Sequence, residues 1–117
     1  MKSKVFTCIT SAMVLLLGSA FATADTVLDW NAIAVDTAIT NGANPFAQAR
    51  YAAIVQLAVS EAVNSITGDY KPYLGTIVAP AGASRDAAAA QAARDVLIHY
   101  FTASQSMLDS QLAATLA

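Results

Sequence analysis

His99 stands four residues after Asp95, so on a helix the two side chains share a face. An imidazole beside a carboxylate can move a proton or begin a metal site. His99 is the only histidine, however, and no further ligands of the right kind stand at a matching spacing. A solvated ion pair on a polar helix face is therefore expected. Arg50 and Glu61 are the two charges in an otherwise apolar stretch, residues 49–66, and lie on one face with Ile54 and Leu57 between them. A helix would set them about 16 Å apart, too far to pair. Two readings stay open for them: polar contacts inside a larger assembly, or separate surface charges.

The other acids do not assemble into chemistry. Asp25, Asp29, Asp36, Asp69, Asp86 and Asp109 stand near helix ends or on faces expected to be exposed, with no spacing that suggests a carboxylate pair or a calcium loop. The chain has no Gly-rich phosphate loop and no Gly-x-Ser-x-Gly. Trp30 reads as a core anchor. No catalytic, cofactor-binding or metal-ligating residue is expected on this chain.

The elements that would position these groups are helical. Asp25 or Thr26 can cap a first helix, from about Thr26 to Thr40, with Val27, Trp30, Ala34 and Ala38 at helical spacing. Asn41-Gly42 ends it, and Asn44-Pro45 opens a second helix that reaches about Ile66. Tyr51, Val55, Ala58, Val59, Ala62 and Val63 form its apolar arc. Gln56, Ser60 and Asn64 mark its polar side, where Phe46, Ala53 and Leu57 intrude. A linker from Thr67 to Ser84 should pack across neighbouring helices, with Tyr70 and Tyr73 of Tyr-Lys-Pro-Tyr as anchors. Ser84 caps a third helix whose face Ala89, Ala93, Val96, Leu97, Tyr100 and Phe101 opposes Gln91, Asp95 and His99. A fourth starts near Ser104 or Ser106, carries Met107, Leu108, Leu112 and Leu116, and shows no stop signal before Ala117. The expected fold is an all-α partial bundle of about four helices.

Composition sets the address. Lys2 and Lys4, the mostly apolar run Val5 to Gly18 and Ala22-Thr23-Ala24 form a secretory signal pattern, residues 1–24, with cleavage before Asp25. The run is too short and too interrupted by Thr7, Thr10 and Ser11 for a membrane anchor. Cys8, the only cysteine, leaves with the signal, so the mature chain has no thiol chemistry. An exported protein, periplasmic or extracellular, is expected. In residues 25–117 four basic residues (Arg50, Lys71, Arg85, Arg94) meet eight acidic ones with no basic cluster. That balance argues against nucleic acid, and against a membrane once the signal is removed.

Four phrases follow one another in order: "VLDWNAIAVDTAI", "ARYAAIVQLAVSEAVNSI", "YKPYL" and "GASRDAAAAQAARDVLIHYF". Together they resemble the N-terminal part of secreted bacterial proteins of the vanadium-dependent haloperoxidase group, within the type 2 phosphatidic acid phosphatase superfamily. The resemblance covers nearly all of residues 26–117 and rests on helical pattern and short phrases. It implies an all-helical parent whose vanadate or phosphate site is built from later stretches: a lysine before Arg-Pro, a Pro-Ser-Gly-His, and an arginine followed at a distance by histidine. None of these occurs here, so no catalytic residue carries over. The chain is accordingly expected to be the truncated N-terminal helical portion, residues 25–117, of such a protein, inactive alone. Vanadate would belong to the full-length parent. Its partners would be the missing C-terminal helices, or a second copy through the apolar helix 45–66. The alternative is a complete small periplasmic helical module that binds or supports a partner.

Overall fold

The computed structural model describes residues 25–117; the expected signal peptide, residues 1–24, lies outside them with Cys8. Within this range there are four α-helices and no strand: α1 (Thr26–Thr40), α2 (Pro45–Thr67), α3 (Arg85–Tyr100) and α4 (Gln105–Leu116). A 3₁₀ turn, Thr102–Ser104, precedes α4.

Local chemistry explains the helix boundaries. Asp25, Asn44 and Ser84 each adopt extended backbone, and each side-chain oxygen accepts a free N–H of the first turn, from Val27, Ala47 and Ala87 respectively. Pro45 takes the first position of α2, where its missing N–H costs nothing. The end of α1 is a Schellman motif: Gly42 N–H donates to Ile39 O and Ala43 N–H to Ala38 O, both at 2.9 Å. Gly42 makes this possible at φ 78°, and Gly68 closes α2 in the same left-handed region at φ 68°.

The bundle is organised around α3, which packs against α1, α2 and α4. Its buried face is Ala89, Ala90, Ala93 and Leu97, and the methyl-only positions let α1 and α2 approach closely. The core is completed by Trp30, Ala34 and Ala38 of α1, Val55 and Val59 of α2, then Phe101 and Leu108. Trp30 is the largest fully buried side chain. Its indole N–H donates to Thr115 Oγ1 at 3.1 Å and so ties α1 to the last turns of α4. Asn41 makes a second tie, donating through Nδ2 to Ser104 Oγ at 2.9 Å. On the other side Tyr51 meets Phe101 edge-on, with ring centroids 4.8 Å apart.

Three expectations need correction. Asn64, placed on a polar side, is buried. Tyr100, placed in the core, is about half exposed, because the helix ends there and turns Phe101 inward instead. The rings of Tyr70 and Tyr73 anchor nothing: they are 78% and 74% exposed, and the loop is held through its backbone. No described helix is long and apolar enough to cross a membrane.

Candidate functional site

The polar side chains that α2 buries point at the loop after it. Gly68 reverses the chain, so Tyr70 returns alongside the last turn of α2. There the Asn64 amide works like a strand partner. Its Nδ2 donates to Tyr70 O at 2.8 Å, and its Oδ1 accepts Tyr70 N–H at 2.9 Å. One turn earlier, Glu61 Oε1 accepts Tyr73 N–H at 2.9 Å and Oε2 accepts Leu74 N–H at 3.1 Å. A buried carboxylate is costly unless its oxygens are hydrogen-bonded, and here each has a backbone donor. Every buried side-chain polar atom among the described residues has a partner.

Glu61 is not a surface charge: it is buried and its partners among the described residues are two amides of its own chain. Arg50 is exposed on α2, without a salt bridge among the described residues.

Three cavities border this clamp, one of them, of about 340 Å³, against Val59, Val63, Asn64 and Tyr70. A second, of about 280 Å³, is lined by Glu61, Asn64, Gly68, Tyr70, Pro72 and Thr76. The third, of about 450 Å³, is an apolar cleft between α2 and α3. Ala58 and Ala62 form one wall, Ala88 and Ala92 the second, and Ile77 and Val78 of the loop the third.

The expected Asp95–His99 pair does not form. Asp95 Oδ1 is engaged by Arg94 Nη1 and Gln91 Nε2, both at 2.8 Å, while the exposed His99 ring meets Tyr100 edge-on at 4.9 Å. Arg94 reaches further, donating from Nε to Asp109 Oδ1 at 2.8 Å and again from Nη2, so it joins α3 to α4. The Asp109 hydrogen bonds, followed by that to Asp95, hold its guanidinium above its ordinary pKa. The sequence named Asp95 and Asp109 but missed Arg94, whose partner lies on another helix.

An oxyanion such as vanadate or phosphate requires converging cations and a nearby imidazole. The residues present do not fit one. Arg94 is taken by two carboxylates, Arg50, Lys71 and Arg85 stand on α2, the loop and α3, and His99 ends α3. No group of three or more metal-ligating side chains occurs among the described residues. Two buried polar side chains fix a loop whose large apolar residues remain exposed. Compared with known proteins, the chain matches no family model, no curated protein and no solved structure.

Proposed function

We propose that residues 25–117 are a non-catalytic helical packing unit, the exported N-terminal portion of a haloperoxidase-like or phosphatase-like protein whose remaining helices cover its outer face. The observation that carries this reading is a stripe along α2. Phe46, Ala53 and Leu57 recur at helical spacing and are all exposed, Phe46 at 90%, with the exposed Arg50 at their side. Single exposed apolar residues are ordinary, whereas an aligned stripe marks a contact surface. Tyr70 and Tyr73 expose further rings on the loop after α2, held by Asn64 and Glu61. Pre-ordering a surface in this way lowers the entropy lost when something docks on it. In the resembled architecture the docking element is the rest of the bundle, which would also bring the oxyanion site. Vanadate-dependent halide oxidation or phosphate ester hydrolysis would then be reactions of the whole parent.

Reading the gene beyond the Ala117 codon tests this. An in-frame continuation with Pro-Ser-Gly-His is the expected result; a stop codon with no such motif downstream overturns the haloperoxidase-like reading.

The same stripe also favours a second reading, a small periplasmic module that pairs with another copy through α2. Sedimentation velocity of residues 25–117 separates the two. A defined dimer that Phe46→Ser with Leu57→Ser dissociates supports pairing. A dye-binding species without a defined oligomer supports the larger bundle.

A further inference from the structure

One wall of the apolar cleft between α2 and α3 is made by the loop after α2. Ile77 and Val78 line it, yet they are 52% and 86% exposed, so they stand at its mouth. Opposite them the methyl groups of Ala58, Ala62, Ala88 and Ala92 form a shallow floor, each only partly buried. Two glycines bracket the wall, Gly75 at φ 104° and Gly82 at φ 76°. No atom lies within 4 Å of where a Cβ would stand on either, so backbone conformation is the constraint there and space is not. Before Gly75 the chain is held by Glu61 at Tyr73 and Leu74; beyond Gly82 it is held by the Ser84 cap of α3. Between the two glycines the one backbone hydrogen bond among the described residues is accepted by Pro80 O, from Ala83 N–H across Gly82 at 3.2 Å.

From these features we infer that residues 75–82 are a strap, hinged at Gly75 and Gly82 and latched by Glu61, which closes over the cleft and seats Ile77 and Val78 on the alanine floor. Closure removes apolar surface from water on both sides of the cleft; rotation at Gly82 gives up one hydrogen bond, the Pro80–Ala83 turn contact. Swinging a segment between two fixed ends requires backbone rotation at the ends, where glycine permits it. Leu74 lies on the latched side of the hinge and stays in place, so the strap moves and the clamp does not.

The test is methyl NMR on the full chain labelled at Ala, Ile and Val. Closure is expected to give cross-peaks from Ile77 or Val78 methyls to the Ala62 or Ala92 methyl. The expected result for Glu61→Gln is a loss of at least half their intensity with core cross-peaks such as those of Val55 and Val59 retained. If strap-to-floor cross-peaks are absent while core cross-peaks are present, the strap does not close and the inference fails. Should Glu61→Gln leave the strap cross-peaks unchanged, the latch is overturned. A mixture of labelled and unlabelled chains identifies the one rival occupant: cross-peaks that prove intermolecular place a second copy in the cleft and overturn closure.

Discussion

Asn64 and Tyr70 exchange two hydrogen bonds, the side-chain amide of one against the backbone amide of the other, at 2.8 Å and 2.9 Å. Only a side chain with a donor and an acceptor side by side can do this. Asn64→Ala should lower stability by about 1–2 kcal/mol, since both Tyr70 groups must turn to water. Asn64→Asp should cost more at neutral pH, because the carboxylate keeps the Tyr70 N–H but opposes its carbonyl. The folded variant then favours the neutral acid, so protons bind it more tightly than the unfolded chain, and falling pH favours folding. The deficit should shrink from about pH 5 towards pH 4 in urea titrations; a pH-independent deficit would contradict this geometry.

Glu61 offers one oxygen to each of two amides. Glu61→Gln keeps one acceptor and turns an NH₂ towards the other N–H. A loss of about 1–3 kcal/mol is expected, with faster hydrogen exchange at Tyr73 and Leu74 before any change in α1 or α3.

Gly68 turns the chain towards that clamp at φ 68° in open space. Gly68→Ala should cost about 1–2 kcal/mol from backbone conformation alone, and Gly68→Asn less. Equal costs for the two would point to a steric cause.

Trp30 is the only tryptophan and is completely buried, so its fluorescence reports on the core. Trp30→Ala should remove about 3–5 kcal/mol and unfold a small domain at moderate temperature. Thr115→Val, which takes only the indole's acceptor, should cost about 1 kcal/mol and speed exchange in the last turn of α4.

Arg94 links α3 to α4 through Asp109. Arg94→Met retains much of the stem but removes the charge, so exchange should quicken within α4 and little elsewhere. High salt should narrow the difference between variant and parent, because this pair is open to solvent.

How much of this was legible follows the range of each interaction. The caps at Asn44 and Ser84, the glycine that ends α1 and the burial of Trp30 and Leu97 follow from neighbours within a turn or two, and the sequence displays those neighbours directly. The loop is where reading failed. Two tyrosines in a Pro-containing stretch looked like anchors, since aromatic burial is the usual means of fixing a loop. Backbone amides, identical at every residue, hold it instead, and composition says nothing about which amides a carboxylate will meet.

The sequence by itself determined four helices, the caps that start the first three and their main apolar faces, because capping and periodicity are local physics. Only the tertiary structure decided that Glu61 binds amides 12 and 13 residues further along, and that Arg94 chooses Asp109. Those pairings depend on where the packed helices carry the chain. A charged group taken partly out of water bonds to whatever donor or acceptor packing brings within about 3 Å.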